Sequence, residues 1–303
     1  MVLFITGRCP RTCWYCPLSS ERKGHDVIFA NDRKIESPAG ILEEARLMSA
    51  LGTGITGGEP LLVPGRVAEY AALLKKEFGP RHHIHLYTGI APSMEMLTLL
   101  HGLVDEIRLH PPEECWDRFC TSPYAEAARN AKAMGFCTGI EVPALPALRE
   151  LAPALDLVDF LNINELEWGE LSADAMRKRG LRFADSLHNA VKNSHTWAAP
   201  LRRHKKVHWC PSAFKDAVQL RERLKRIARN TARSFDQITG DGTIIYGVIE
   251  VQQSEREGLD IRAAHEDFED RIELSCRFLQ KECHALPGTK YIIERYPNRG
   301  IIV

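Results

Sequence analysis

The sequence has no apolar run approaching the roughly 18 residues that a membrane-spanning helix needs, so no membrane partner is expected. It has no excess of charge: 40 Lys and Arg stand against 40 Asp and Glu, so bulk charge favours no class of partner. It has no internal repeat and no low-complexity tract, which excludes solenoids and long disordered linkers. Val2 to Ile5 is too short for the apolar centre of a signal peptide and reads as a strand. There is one C-x2-C pair, so the second close pair of a structural zinc ribbon is missing.

What is present is a chain of 303 residues, 44% hydrophobic, long enough for one large α/β domain or one domain with an appendage. Nine cysteines, an odd number with no small secreted scaffold around them, point to a reducing cytoplasm. Where thiols cluster there, metal or redox chemistry is expected.

The first two thirds alternate short apolar runs with amphipathic stretches. Residues 2–7, 52–56, 83–89, 104–110, 136–143, 157–164 and 205–210 read as strands. Residues 37–51, 65–79, 94–100 and 123–134 read as helices, the first with Ser37 as cap and Pro38 in its first turn. Strand, helix, strand, repeated, predicts a parallel sheet with right-handed crossovers. Six or seven such units suit a complete or partial β/α barrel, with an open doubly wound sheet as the alternative. In both, functional groups lie at the carboxyl ends of strands. The last third differs: a long basic helix over 212–233, then strands in 242–251 and 289–303. This predicts a small α+β appendage, with domains 1–211 and 212–303.

Cys9, Cys13 and Cys16 follow the first strand as C-x3-C-x2-C. A disulfide would leave one thiol over. Zinc wants a fourth ligand, and Cys115, Cys120 and Cys137 form no second close pair. An iron–sulfur cluster on three thiolates remains, with one iron left open for chemistry.

C-x3-C-x2-C with an aromatic before the third cysteine resembles the signature of radical S-adenosylmethionine (SAM) enzymes. "TGGEP" (56–60), after the second strand, looks like the SAM-binding motif of that superfamily. More narrowly, residues 16–31 and 51–62, with segments out to about residue 250, resemble a mostly archaeal family related to pyruvate formate-lyase activating enzymes. Those enzymes are generally shorter and lack an extension like 212–303. The resemblance implies a partial (β/α)6 barrel and a [4Fe–4S] cluster on Cys9, Cys13 and Cys16, with the amino and carboxylate groups of SAM on the fourth iron. It implies an external one-electron donor, ferredoxin- or flavodoxin-like, and a 5′-deoxyadenosyl radical that abstracts hydrogen from a substrate. Tyr15 would lie near the adenine. Gly57 and Gly58 would let the backbone approach SAM, and Glu59 beside Pro60 would accept from its ammonium group.

Strand ends supply further candidates for SAM or substrate contact. Arg108 and His110 alternate on one strand and share a face, with a salt bridge to Asp105 or Glu106 as the plainer role for the arginine. Thr88, Glu141, Asn162 and Asn164 lie at or near the ends of their strands. Arg22, Lys23, His25 and Asp26 could form a lid. Cys210 ends the last strand and is the candidate hydrogen-atom donor to a substrate radical, with a plain buried thiol as the alternative. Lys215 would flank it. Residues 202–233 hold eleven Lys or Arg against Asp216 and Glu222, a candidate footprint for tRNA unless acids such as those of 265–273 balance it. A protein or peptide, as in glycyl-radical activation, is the other substrate class. A non-catalytic metal-binding module would cleave no SAM.

Overall fold

The structure, a computed structural model, describes residues 1–186, 188–251 and 261–298. It divides into two compact units, one of residues 1–45 and 50–215, the other of residues 46–49 and 216 onward.

In the first unit the strands are β1 (Val2–Phe4), β2 (Phe29–Ala30), β3 (Arg33–Lys34), β4 (Gly52–Thr56), β5 (His83–Thr88), β6 (Glu106–Leu109), β7 (Cys137–Pro143), β8 (Phe160–Asn164) and β9 (Val207–Cys210). They form one sheet in the order β3-β2-β1-β4-β5-β6-β7-β8-β9. β2 and β3 are an antiparallel extension of β1, and every other neighbour is parallel. The seven parallel strands lie side by side in chain order. With right-handed crossovers, an order that never reverses puts every connecting helix on one face. A doubly wound sheet needs a reversal, so the structure is the partial barrel. Among the described residues the edge strands β3 and β9 are unpaired with each other, and the barrel is open between them.

The helices are α1 (Pro38–Leu47), α2 (Pro64–Phe78), α3 (Met94–Leu100) and α4 (Pro123–Ala133). α2 opens on Pro64, where the missing N–H would have had no helical partner in any case. It buries Val67, Ala68, Ala71 and Leu74 along one stripe. Against the helices stand Ile55, Ile84, Leu86, Ile107, Leu109, Ile140, Leu161 and Ile163, all 0% exposed. Strand alternation turns the intervening residues, among them Tyr87, Arg108, Glu141 and Asn162, toward the concave side. Between β8 and β9, residues 165–206 carry α5 (Ala173–Lys178) and α6 (Ser194–Ala198), which the sequence patterns do not announce.

The helix expected over 212–233 is helical from Ser212 to Thr231, with a π-helical turn at Lys215–Leu220 followed by α7 (Arg221–Thr231). It passes through the division at residue 215. The second unit then forms an antiparallel sheet of β10 (Gln237–Ile238), β11 (Ile244–Glu250), β12 (His265–Asp267), β13 (Arg271–Leu274) and β14 (Thr289–Arg295), with β11 central. α8 (Cys276–Glu282) follows β13, and its Leu279 joins Ile249, Val251, Ile272 and Leu274 in a separate core.

Candidate active site

Residues 7–26 leave β1 as a loop folded back on its own start. The Gly7 N–H donates to the His25 carbonyl (2.8 Å) and the Gly24 N–H to that of Gly7 (2.8 Å). A Cβ on Gly7 would stand 1.6 Å from the Arg22 carbonyl oxygen, so only glycine fits. Asp26 closes the loop, accepting from Thr6 Oγ1 (3.0 Å) and Arg66 Nη1 (2.7 Å). The Arg66 bond holds its carboxyl below the usual range. Arg22 stacks on Phe29 at 4.2 Å. Both residues, expected on a lid, belong to the frame of the loop.

Cys9, Cys13 and Cys16 are free thiols on this frame, Cys9 exposed and the others half-buried. A turn from the Cys16 N–H to the Cys13 carbonyl (3.1 Å) joins the last two. Trp14 meets Tyr15 edge-on, and its Nε1 donates to Glu113 (3.2 Å). Tyr15 is buried, which pushes its hydroxyl pKa up and keeps it protonated. Its oxygen lies 3.1 Å from His110 Nε2, and His110 Nδ1 lies 2.8 Å from the Glu141 carbonyl. Since a carbonyl only accepts, Nδ1 carries the hydrogen and Nε2 accepts from Tyr15.

Among the described residues, no three His, Cys, Asp or Glu side chains converge as one metal ion would require. Each thiolate of a four-iron cluster bonds a different iron. The three cysteines therefore need to share a loop, not a point. Three free thiols on one framed loop, with no fourth beside them in sequence, fit a cluster with one open iron.

The chain leaving β4 runs against this loop. The Gly58 N–H donates to Thr6 (2.7 Å) and the Glu59 N–H to Arg8 (2.8 Å). A Cβ on Gly57 would lie 2.6 Å from the Thr6 oxygen, and one on Gly58 2.5 Å from the Arg8 oxygen. What the two glycines approach is the backbone of the cysteine loop. Glu59 is 0% exposed. Its Oε1 accepts from the Leu61 N–H (2.9 Å) and Thr88 Oγ1 (2.8 Å), and its Oε2 from the N–H groups of Gly89 (2.6 Å) and Ile90 (3.1 Å). Burial pushes its carboxyl pKa up even against these four donors. The Glu59 carboxylate thus clamps the end of β4, where Pro60 opens a short 3-10 turn, to the end of β5. Arg11, which sequence reasoning passed over, donates from Nη1 to the carbonyls of His110 (2.5 Å) and Gly89 (3.3 Å). The only hint in sequence was a cation between the first two cysteines.

On the concave side Glu141 is the hub. It accepts from Arg108 Nη1 (2.7 Å), Asn162 Nδ2 (3.0 Å) and Asn164 Nδ2 (2.8 Å). Arg108 also pairs with Glu106, while Asp105 pairs with Lys75. Burial opposes the Arg108 charge, but Tyr87, Glu141 and Glu106 outweigh it and hold the guanidinium charged. Burial pushes His85 down to about 3 and His110 down to about 4, with Arg108 and Arg11 respectively adding to it. Unfolded, each would take a proton near its ordinary 6.5. Between those values the unfolded chain binds more protons, so this stability is present above about pH 6.5 and lost as pH falls. Denaturation midpoints should drop between pH 7.5 and pH 5, and less so in His85→Asn. An equal drop in that variant would remove His85 from the account.

β9 pairs Cys210 with Asn164. Paired positions share a face, so the thiol points to the side where Asn164 meets Glu141. Burial pushes its pKa up, and Lys215, Glu141, Glu167 and Glu165 are close enough to act on it. The Lys215 ammonium is paired with Glu167 (3.0 Å). The structure therefore brings Glu141, Asn162, Asn164 and Cys210 together, puts Thr88 and Glu59 in the clamp, and ties His110 to Tyr15. Of the eleven basic residues in 202–233, at least five are engaged, among them Arg223, Lys206 on the Leu155 and Val158 carbonyls, Lys215 on Glu167, Lys225 on Glu222, and Arg233 on Asp236, Glu266 and Glu273. Glu266 and Glu273 belong to the acidic stretch expected to balance the helix. Among the described residues no helix is long and apolar enough to cross a membrane.

The chain is similar to several known proteins. The family model of the radical SAM superfamily matches residues 3–108, and that of a domain of unknown function, DUF8061, matches residues 242–303. Solved structures of Streptococcus suis SuiB share 12% identity with this chain, 13% in the one bound to S-adenosylmethionine and 11% in the one bound to precursor peptide SuiA. Their TM-scores are 0.43, 0.44 and 0.44, over 73%, 72% and 74% of this chain and 51%, 52% and 53% of theirs, so this chain spans about half their length. A candidate glycyl-radical enzyme activating enzyme of Methanocaldococcus jannaschii is 40% identical over 266 residues, 82% of this chain and 70% of that protein. A likeness of that depth, joined to the superfamily's match over β1 to β6, means that the chain belongs to the radical SAM superfamily.

Proposed function

We propose that Cys9, Cys13 and Cys16 hold the cluster, that SAM is received by the backbone of residues 57–60 and by the Glu141 hub on the concave side, and that the hydrogen removed belongs to a protein or peptide. Enzymes of this superfamily use a [4Fe–4S] cluster and SAM. With one electron from an external ferredoxin- or flavodoxin-like donor, that pair supplies a 5′-deoxyadenosyl radical, which abstracts hydrogen. The chain's own part is positioning. Gly7, Asp26 and Arg11 fix the cysteine loop on the rim, and the Glu59 clamp fixes the adjoining motif. Tyr15, anchored by neutral His110, presents a buried ring beside the cysteines. Arg108, Asn162 and Asn164 hold the Glu141 carboxylate in place. Nine free thiols suit a reducing cytoplasm.

The observation that carries the substrate class is the 40% identity to a relative whose name assigns it to activating another protein. RNA is the weaker reading, because four of the basic residues proposed to bind it are already paired or bonded inside the fold. Incubation with deuterated cell extract separated into protein and RNA distinguishes them. Deuterium should enter 5′-deoxyadenosine from the protein fraction, and entry from RNA alone would reverse the assignment.

Where the product is a closed-shell peptide and not a stored radical, we assign Cys210 as the hydrogen-atom donor: its S–H bond breaks as the substrate C–H bond forms, and the sulfur radical left behind takes one electron from the external donor and one proton from solvent. Cys210→Ala should cleave SAM at an undiminished rate and yield altered or no product. Unaltered product would leave the thiol a packing residue.

A further inference from the structure

The outer strands of the second unit's sheet are built differently. β12 (His265–Asp267) is three exposed residues, two of them acids, a short charged edge of the kind that discourages further pairing. β14 (Thr289–Arg295) runs for seven residues without proline or glycine. One side of it pairs with β11 over its whole length, from Thr289 opposite Glu250 to Arg295 opposite Ile244. Among the described residues its other side pairs with no strand. None of its seven residues is buried and Ile292 is 44% exposed, although four residues of β11 beside it are buried.

Strand alternation puts Lys290, Ile292 and Glu294 on one face and Thr289, Tyr291, Ile293 and Arg295 on the other. Lys290 Nζ donates to the carbonyls of Leu286 (2.7 Å) and Gly288 (3.0 Å), and Glu294 accepts from the Thr243 hydroxyl. These partners are neutral and cancel no charge. The order of side chains is self-complementary. Laid antiparallel against a reversed copy with the two-fold at Ile292, β14 sets Ile292 opposite Ile292 and each Lys290 opposite a Glu294. On the other face it sets Tyr291 opposite Ile293 and Thr289 opposite Arg295. Facing residues of one sheet share a face, so the two-fold has to fall on a residue. Centred on Tyr291 it would set Glu294 opposite Gly288, and centred on Ile293 it would set Glu294 against Ile292. Only the Ile292 register uses all seven residues and matches the charges. A lone edge lysine blunts pairing. The acid four positions on turns it into a code for the reversed strand.

We infer that β14 joins two copies of this chain, edge to edge and antiparallel about Ile292, so that their two sheets run on as one. Such an interface is isologous, as in the commonest soluble oligomers. It is held by backbone hydrogen bonds along the strand, an apolar Ile292 pair and two Lys290–Glu294 pairs. An extended segment of another protein would take the same backbone bonds, but the charge order of β14 selects its own reverse. The contact is small, so the dimer forms in a concentration-dependent way. The inference concerns the second unit alone and does not depend on the cluster.

Sedimentation equilibrium of the reconstituted full chain, from about 1 μM to about 1 mM, is the test. The average mass of the parent should rise from one chain toward two. Lys290→Glu and Glu294→Lys each set like charges opposite in both pairs, and each should raise the dissociation constant about tenfold or more. Lys290→Glu combined with Glu294→Lys restores the order and should bring the dimer back. Local unfolding cannot imitate that recovery, because the double variant carries both substitutions. Ile292→Lys, at an exposed position, should weaken the dimer with both charge pairs intact. A parent that stays a single chain throughout would overturn the inference, whether the edge is then held by residues 299–303 or by another protein. So would a dimer that the single variants leave intact, or one that the double variant fails to restore.

Discussion

Replacing any one of Cys9, Cys13 or Cys16 with alanine should abolish iron binding and SAM cleavage together. The three thiols lie on one loop that holds no fourth cysteine. A cluster holding one open iron already uses every ligand available, so loss of one leaves two irons open and the assembly labile. Iron and sulfide analysis, the visible absorbance of the reconstituted protein, and 5′-deoxyadenosine by chromatography should all fall to background. Cys120→Ala is the control: that thiol is also free and exposed but lies outside the loop, and its loss should change none of the three. A Cys13→Ala protein that keeps a full cluster would move the site elsewhere.

Glu59→Ala should unfold the rim before it affects SAM. The sequence motif presents Glu59 as a group facing the ligand. In the structure its carboxylate is fully buried and accepts from three backbone N–H groups and the Thr88 hydroxyl. Alanine leaves the Leu61 and Gly89 N–H groups without their acceptor, at about 1–3 kcal/mol for each that water cannot reach, while the Ile90 N–H keeps Thr88 Oγ1 and the Thr88 hydroxyl keeps the Ile90 carbonyl. The two lost bonds together cost roughly 4 kcal/mol, a large fraction of the usual stability of a domain. For a unit of this size that is a fall of about 10 °C in melting temperature. Thermal melts of the cluster-free protein isolate the effect from cofactor binding. A Glu59→Ala protein that melts with the parent and loses only SAM affinity would make Glu59 a ligand, not a clamp.

The barrel was legible because buried parallel strands read as nearly continuous apolar runs between amphipathic helices. β4 was placed to the residue, and α3 likewise. β2 and β3, two residues each, are too short to show a period. α5 and α6 lie in a segment whose charges and glycines look like a solvated loop. β12 and β13 were hidden because "HEDFEDRIE" reads as an acidic stretch, and only its pairing with β11 and with Arg233 makes it sheet. The division at residue 215 falls inside a helix and so leaves no break in composition.

At the site, the cysteines were legible from spacing alone. Glu141, Asn162, Asn164 and Cys210 were found because they end parallel strands. What their side chains hold was not legible, since the partners come from other strands. Glu59 reaches residues up to 31 positions away, and Arg11 meets His110 across 99. Gly57 and Gly58, expected to let the backbone approach a ligand, also lie against the backbone of Thr6 and Arg8, a neighbour that only the parallel pairing of β1 with β4 brings alongside.

The most direct test of the central claim is anaerobic reconstitution of the full chain, followed by reduction with dithionite in the presence of SAM. The account predicts about four irons and four sulfides per chain, and 5′-deoxyadenosine that appears only with reductant. A protein that binds zinc alone and releases no deoxyadenosine would contradict it.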